Sequence, residues 1–552
     1  MKKKILSLML MCIMVVTMMG CSTKNSGKDN DNSSTEASAE ENQVAGEDGT
    51  IDYPFAAYKE PVTISTVTSE YASAKYPDGD DITNNVWTRA YKERFNIDLV
   101  TDWVSDEYDT KLNLAITSQE LPDVFHVSAA QLQQLIEADM IWDLTDLYDK
   151  YASDTIKSYM SADEASFESG KSDGRLYGIP QMHWGIIDQP DFIWIRNDWK
   201  EALGLKDPTS MEDVKNIALK FMEAYGGYGM AADQSLDYLN LLAVAWQAYP
   251  DMWIKGSDGN IVYGSVQPEM KNALGEWAEW YKAGIINPDF GTTDFNAMVE
   301  AMVAGKVGIT PFYQWWGYNP GVDEVTNLGK DAIFYPYAIP SATGQEVKQS
   351  IFFANGSYTV VSKKCKNPEA AFKLINFYSY MLDESTGKET PETISAFTDN
   401  DMAHVVGAFR VLNPNSDYEQ YVQVSKSLKS GDTSNLTTST MWQKYNNSVE
   451  FRDNGTPSAV GDYLQQGAEK SAYGIAKGII DKEEYIKTVL WGATPEELLS
   501  YGSTLDDILT EGFTKIIMGE ENIDYFDTVV ENWNAAGGEA ATAAVNAAYK
   551  DK

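Results

Sequence analysis

Apolar and polar residues alternate over short stretches of this chain and recur at helical spacing over others. Three stretches have the composition of strands, "PVTISTVTS" (61–69), "FNIDLV" (95–100) and "LPDVFHVS" (121–128), and a helical period follows from Ala130 to Asp139. No unit of roughly 20 to 50 residues repeats, which argues against solenoids and propellers. This alternation of strands and helices predicts an α/β fold class.

One of the helices has clear signals at both ends. In "PTSMEDVKNIALKFMEAYGG", Thr209 and Glu212 have the spacing of a capping box, and Gly226 follows the last apolar residue of the period. The apolar positions between them, which include Val214 and Phe221, fall on one helical face. The pattern predicts a scaffold helix with one buried side.

A strand predicted at "GKVGITPF" (305–312) runs directly into an aromatic cluster. Tyr313, Trp315 and Trp316 follow the strand almost together. Aromatic residues of a large protein are more often core than ligand contacts, so the pattern alone favours packing. The carboxyl ends of strands in open α/β sheets are nevertheless where ligands bind.

Length and composition narrow the class of protein. A chain of 552 residues exceeds the size at which single cores stop growing, so at least two domains are expected. With 43% hydrophobic and 12% aromatic residues, most of the chain should fold. The formal charge of −39 argues against nucleic acid or an anionic membrane surface as direct partners, because both recruit Lys and Arg.

The N-terminus has the pattern of an export signal. Three lysines precede the apolar run "ILSLMLMCIMVVTMM", and a glycine then precedes Cys21. The pattern is similar to a bacterial lipoprotein signal peptide, although Met18 occupies a position that is usually leucine. Ordinary secretion is the alternative, and a membrane span is disfavoured because the run is shorter than about 20 residues. With Cys21 lipidated, Cys365 has no partner for a disulfide.

Catalytic motifs are largely absent from the sequence. The three histidines have no metal-ligand spacing, and there is no phosphate-binding glycine loop and no GxSxG elbow. The acidic stretch "YPDGDDIT" (76–83) lacks the layout of an EF-hand and is better explained as a solvated turn than as a calcium site. A glycoside hydrolase is the enzyme class that stays open, since carboxylates and tryptophans are abundant.

Several ordered stretches together resemble one family. They are "LPDVFHV", "DGRLYGIPQ", "EWYKAGIINPDF", "AMVAGKVGITPFYQWW" and "IIMGEENIDYFDTVVENW". Their order and wording are similar to family 1 extracellular solute-binding proteins, in particular a long lipoprotein branch of Gram-positive bacteria that feeds oligosaccharide-type ABC importers. The resemblance covers nearly everything after residue 60.

The resemblance implies a two-lobed, periplasmic-binding-protein-like (type II) fold with hinge-crossing strands. Binding between the lobes is implied, with no catalysis and no cofactor. On this plan the chain divides into a signal peptide (1–20), a flexible tether (21–54), a first lobe (55–185 plus 348–430) and a second lobe (186–347 plus 431–552).

Matching to the family also suggests ligand contacts. Counting ten residues from Gly305, as in the family's maltose-binding member, leads to Trp315 as the residue that stacks on a sugar ring, with Trp316 as either a second contact or packing. The other positions implied in the same way are Tyr313, Gln181, His183, Trp184, His126, Ser128, Asp237, Tyr238 and Arg196. For His126 a core role stays open, and for Arg196 a bracing ion pair stays open. Trp184 stands where that member has a carboxylate, so maltose itself is not implied.

The resulting prediction is a monomeric binding protein that is lipid-anchored through Cys21 at the outer face of a Gram-positive type cell membrane. It would capture an oligosaccharide and deliver it to the transmembrane subunits of an ABC permease. A surface glycoside hydrolase, or a binding protein for another solute such as a peptide or a modified uronate, stays open as an alternative.

Overall fold

The computed structural model describes residues 42–550 apart from 47–48, 71–75, 183–184, 354, 385–405 and 492–493. The strands in this part of the chain are β1 Val62–Ser69, β2 Ile97–Ser105, β3 Val124–Val127, β4 Lys171–Ser172, β5 Arg175–Leu176, β6 Ile179–Pro180, β7 Phe192–Arg196, β8 Tyr228–Met230, β9 Trp253–Lys255, β10 Ile261–Tyr263, β11 Val307–Phe312, β12 Phe334–Ala338, β13 Gln349–Ile351, β14 Tyr358–Val361 and β15 Tyr485–Lys487.

Helices lie between and after these strands. The α-helices of six residues or more are Val86–Phe95, Tyr108–Ser118, Ala129–Glu137, Thr145–Tyr151, Asp154–Ala162, Glu164–Ser169, Asn197–Ala202, Met211–Tyr225, Pro268–Lys282, Phe295–Val303, Gly321–Leu328, Ala370–Ser379, Ser416–Ser430, Ser439–Asn454, Ala472–Asp481, Glu496–Met518, Tyr525–Trp533 and Glu539–Tyr549. A 3₁₀ helix of six residues spans Leu241–Trp246. No helix of the described residues is both long enough and apolar enough to cross a membrane.

The predicted scaffold helix begins one residue later than expected. Ser210 Oγ accepts a hydrogen bond from the backbone N of Asp213 at 3.1 Å, and the Asp213 carboxylate accepts from the backbone N of Ser210 at 3.0 Å. The capping box is therefore Ser210 with Asp213, and the prediction of Thr209 with Glu212 was wrong by one position. Gly226 ends the helix as predicted, at a φ of 77° that favours glycine.

The described part of the first lobe contains three small sheets. Strands β1 and β2 pair in parallel, β14 pairs antiparallel with both β3 and β6, and β4 pairs antiparallel with β5. All four residues of β14 are buried, as a central strand covered on both faces requires. Helices Val86–Phe95 and Ala370–Ser379 meet through Trp87 and Tyr378, whose rings stack with centroids 5.3 Å apart.

The second lobe is built on a four-stranded sheet in the order β12, β7, β11, β8. Strand β11 runs antiparallel to β7, with Phe312 opposite Phe192 and Ile309 opposite Ile195. Every residue of β7 and β11 is buried, so helices and loops cover both faces of the sheet. This register places the end of β11 and the beginning of β7 at the same edge of the sheet.

Three segments of the described chain pass between the lobes. Two of them are tied together: Gln189 Nε2 donates to the carbonyl oxygen of Phe352 at 3.1 Å, and Phe352 N donates to Gln189 Oε1 at 2.8 Å. The third lies between Val411, which belongs to a first-lobe cluster, and Tyr421, which belongs to a second-lobe cluster.

The structure departs from the predicted division in three places. The described residues of 42–54, predicted as part of the flexible tether, pack on the first lobe: Gln43 is buried and bridges to Tyr58, and Lys373 Nζ donates to the carbonyl oxygen of Tyr53 at 2.9 Å.

Helix Ser416–Ser430, predicted for the first lobe, buries Tyr421 against Tyr473 of the second, with ring centroids 6.0 Å apart. Strand β13, also predicted for the first lobe, pairs with β15 beside the second-lobe core. The helix is placed by its apolar side and the strand by its pairing, and the remaining boundaries stay a prediction.

We expect Trp316→Ala to destabilise the protein by about 3–5 kcal/mol, the usual cost of removing a large aromatic side chain from a core. Trp316 is fully buried, with its ring stacked on Trp194 at 5.2 Å between centroids. Trp442→Ala is the control because Trp442 is 40% exposed. Urea unfolding should show a lower midpoint for the first variant and little change for the second; equal midpoints would contradict the packing described.

Candidate functional site

A cleft of about 560 Å³ opens at the edge of the second-lobe sheet where β11 ends and β7 begins. Its walls come from the two tied crossing segments, from the turn after β11 and from the loops around Asp237 and Asp251. The lining residues are Asp188, Gln189, Asp191, Asp237, Asn240, Leu241, Pro250, Asp251, Tyr313, Gln314, Trp315, Ser350, Phe352, Phe353 and Gly356.

The turn after β11 supplies an aromatic wall. Tyr313 and Trp315 lie nearly parallel, with ring centroids 6.0 Å apart and 14° between planes, and both are partly exposed to the cleft. Phe312 supports Trp315 from behind in an edge-on contact at 4.6 Å. Trp316 points the opposite way into the core. A flat aromatic face is therefore presented in a fixed orientation.

Carboxylates surround this aromatic wall. Asp188 accepts from Tyr473 Oη at 2.5 Å and from the backbone N of Gly185 at 3.1 Å, and burial, with the charge of Asp417, raises its pKa to about 7. Burial also raises the pKa of Asp191. These groups offer hydrogen-bond acceptors to a molecule in the cleft.

A third carboxylate of the cleft is held by neighbours on three sides. Asp251 accepts from Tyr263 Oη at 3.2 Å, from Ser265 Oγ at 3.3 Å and from Asn240 Nδ2 at 3.2 Å. Burial raises its pKa even so. The Oδ1 atom of Asn240 has no hydrogen-bond partner among the described residues, which leaves a buried acceptor in the same wall.

A second cavity, of about 370 Å³, lies on the first lobe and shares Gly356 with the cleft. Its lining is Thr68, Ser69, Tyr108, Asp109, His126, Val127, Ser128, Gln181, Gly356, Ser357, Gly407, Ala408 and Arg410. Because Gly356 borders both cavities, the two are adjacent.

His126 is the centre of a polar network in that cavity. Its Nε2 lies 2.6 Å from the carbonyl oxygen of Ala408, and its Nδ1 lies 2.7 Å from Gln181 Nε2. The neutral tautomer with the proton on Nε2 satisfies both contacts. Gln181 Oε1 in turn accepts from Ser357 Oγ at 2.6 Å. Burial lowers the pKa of His126 to about 4, so the imidazole is neutral at pH 7.

The structure brings six of the predicted contacts to the two cavities. Tyr313, Trp315 and Asp237 line the second-lobe cleft, and His126, Ser128 and Gln181 line the first-lobe cavity. Ser128 is at the same time the N-cap of helix Ala129–Glu137, where its side chain accepts from Gln131 N at 3.3 Å. His183 and Trp184 lie outside the described residues.

Three predicted contacts have other positions. Tyr238 is buried against Phe312, with ring centroids 4.9 Å apart, and Trp316 is buried in the same core. Arg196 ends β7 at the edge of the sheet away from the cleft, so the suggestion of a ligand contact needs correction. Its Nε donates to Asp198 at 2.8 Å, a local ion pair at that end of the strand, and the alternative of an ion pair that braces the hinge stays a prediction.

Sequence reasoning missed several lining residues. Asp188, Gln189 and Asp191 stand in the crossing segment before β7, and Phe352 and Phe353 stand in the segment that pairs with it. Their positions in the sequence could have predicted them, since residues at strand ends beside a hinge face the gap between the lobes. Among the described residues, no group of three or more His, Cys, Asp or Glu side chains is arranged to hold a metal ion.

Comparison with known proteins extends this description. The family model for "Bacterial extracellular solute-binding protein" matches residues 66–379. Lipoprotein LipO of Bacillus subtilis (strain 168) is 22% identical over 476 residues, which are 81% of this chain and 85% of that protein. The polygalacturonan/rhamnogalacturonan-binding protein YtcQ of the same strain is 21% identical over 480 residues, 82% of this chain and 86% of that protein.

A solved structure shares the fold. The substrate-binding protein FusA of the S. pneumoniae ABC transporter, in complex with kestose, superposes with a TM-score of 0.60 at 15% identity. The superposition covers 89% of this chain and 99% of that chain. At this identity the likeness concerns the fold, which is that of two-lobed solute-binding proteins, as the sequence predicted.

We expect His126 to make stability depend on pH between its ordinary pKa of 6.5 and its lowered value of about 4. In this window the unfolded chain binds a proton at the imidazole and the folded protein does not, so the free energy of unfolding falls as the pH falls. The His126→Gln variant has no titrating group at this position. Urea unfolding across the window should therefore show that the free energy of unfolding of the wild type falls, relative to that of the variant, as the pH falls. A difference that stays constant with pH would contradict a buried neutral imidazole.

Proposed function

Since the chain belongs to the bacterial extracellular solute-binding proteins, we propose that it captures an oligosaccharide between its two lobes and delivers it to an ABC permease. The family consists of binding proteins, which excludes the glycoside hydrolase left open above. The observation that carries the sugar assignment is the partly exposed face of Trp315 in a cleft rich in fixed acceptors.

The geometry suits a pyranose ring. The apolar C–H face of such a ring lies flat on an aromatic surface, and its hydroxyls need acceptors and donors at the rim. Trp315 and Tyr313 provide the surface, while Asp237 and Gln314 provide polar groups beside it. Gln314 is held in place because its Oε1 accepts from Gln465 Nε2 at 2.6 Å.

The first-lobe cavity would hold a neighbouring unit of the same chain. Gln181, Ser128 and neutral His126 line it, and Gly356 connects it with the Trp315 cleft. A ligand that contacts both cavities stabilises the closed arrangement more than the open one, which is the condition for closure on binding. Two similar proteins support the same class of ligand here: YtcQ is a polygalacturonan/rhamnogalacturonan-binding protein, and FusA was solved in complex with kestose.

Membrane attachment is the second part of the proposal. Cys21 would carry the lipid, and the polar residues between it and residue 42, where the chain begins to pack on the first lobe, would form the tether that lets the lobes reach a permease. The motif before Cys21 supports this assignment. No cofactor enters the proposed function.

We expect one glycan of a panel to raise the thermal midpoint of the chain that begins at residue 22 and to remain intact. At about 100 times its dissociation constant it should add roughly 2.7 kcal/mol to the folded state. Trp315→Ala should weaken binding by about 2 kcal/mol, or roughly 30-fold, whereas the exposed Trp442→Ala should leave it unchanged. Calorimetry and product analysis provide the readouts. Cleavage of the glycan, or equal affinities of the two variants, would contradict the proposal.

We expect Cys21→Ser to release the protein from the membrane fraction into the medium, because the sulfur that would carry the lipid is gone. The ligand affinity should not change, since residue 21 is far in sequence from every lining residue. Fractionation followed by immunoblotting is the measurement. Retention of the variant in the membrane would show that another element anchors the chain.

A further inference from the structure

Asp191 carries a buried carboxylate without a partner. The residue is 4% exposed and borders the Trp315 cleft. Its backbone N donates to Gln349 Oε1 at 3.2 Å, yet no hydrogen bond or ion pair from the described residues reaches its carboxylate. Burial of an unpaired polar group costs free energy, and such groups in native proteins usually have a functional reason. The carboxylate therefore marks a place where a ligand supplies the missing donor.

The charge around Asp191 has one sign. The cleft is lined by Asp188, Asp191, Asp237 and Asp251 and by no Lys, Arg or His among the described residues. An adjoining cavity of about 340 Å³ shares Asp237 and Asp251, adds Asp506 and also lacks a cationic side chain in its described lining. Burial and the nearby Asp191 and Asp237 raise the pKa of Tyr313, as a negative field requires.

We propose, on the basis of the oligosaccharide-binding function argued above, that the sugar unit on Trp315 carries hydroxyl or ammonium donors and no carboxylate or sulfate. Asp191 accepts the hydrogen bonds of this unit. A uronate placed there would bring a further negative charge into a partly desolvated acidic site whose described lining has no cationic side chain to compensate it.

The exclusion of acidic sugar units applies to the second-lobe cleft alone. The first-lobe cavity is lined by both Asp109 and Arg410, so its charge is balanced within its own wall. We therefore expect the protein to reject acidic sugars at the unit that stacks on Trp315. In this respect the proposed ligand differs from the polyuronate in the name of the relative YtcQ.

The first test removes the carboxylate of Asp191 in the protein without ligand. Asp191→Asn should raise the thermal midpoint by roughly 2–4 °C, because the cost of holding an unpaired carboxylate in a buried position is gone, and it should weaken glycan binding at least about tenfold. Asp251→Asn is the matched control from the same cleft: its carboxylate has three donors, so its loss should not stabilise the fold. Glycan affinity equal to wild type in Asp191→Asn would overturn the assignment of Asp191.

The second test compares ligand charge at constant shape. Fully methyl-esterified trigalacturonate and free trigalacturonate form a matched pair, and trimers of galactan, chitosan and alginate complete the panel for titration calorimetry. Binding confined to neutral or amine-bearing trimers supports the inference, and the chitosan trimer distinguishes ammonium from hydroxyl donors. Tighter binding of a free uronate overturns the inference and leaves the oligosaccharide function in place. Failure of every glycan to bind removes the proposed function and this inference with it.

Discussion

The antiparallel register between β7 and β11 is the constraint on which the site depends. With Phe312 opposite Phe192, the residues that follow β11 and the residues that precede β7 meet at one edge of the sheet. Trp315 comes three residues after that pair and Asp191 one residue before it. Because both strands are buried along their full length, a register shift would disrupt the packing on both faces of the sheet, so the relative position of the aromatic face and the carboxylate is fixed by the core.

The same register explains why the adjacent residues Trp315 and Trp316 face opposite ways. Trp316 fills the core against Trp194 and Phe334, with ring centroids 5.2 and 4.8 Å away. Its packing anchors the turn, and the anchored turn holds Trp315 toward the cleft at a partly exposed position. The aromatic surface proposed to bind the ligand, Trp315 with Tyr313, is thus supported by a buried neighbour, which would reduce the ordering cost of binding.

Sequence reasoning was able to predict the fold class, the family and the place of the aromatic cluster, because these depend on local periodicity and on ordered motifs. It did not find Asp191, since the position of that residue at the cleft depends on the pairing of β7 with strand β11, which lies more than a hundred positions away. The suggestion for Arg196 failed for the same reason. Both residues flank β7, and only the direction of that strand relative to the cleft decides which end faces a ligand. Helix Ser416–Ser430 has an apolar side, but its pattern carries no information on which lobe covers it.

The position of Asp188 and Asp191 on a crossing segment would connect recognition with motion in the proposed function. Gln189 lies between them and is bound twice to the backbone at Phe352, so the two crossing segments are held together at this point. A ligand that donates to Asp191, as proposed, would act on both segments, whereas a contact confined to one lobe would not. Only an interaction that differs between the open and closed arrangements can shift their populations, and a carboxylate on the crossing segment is placed to make such a difference.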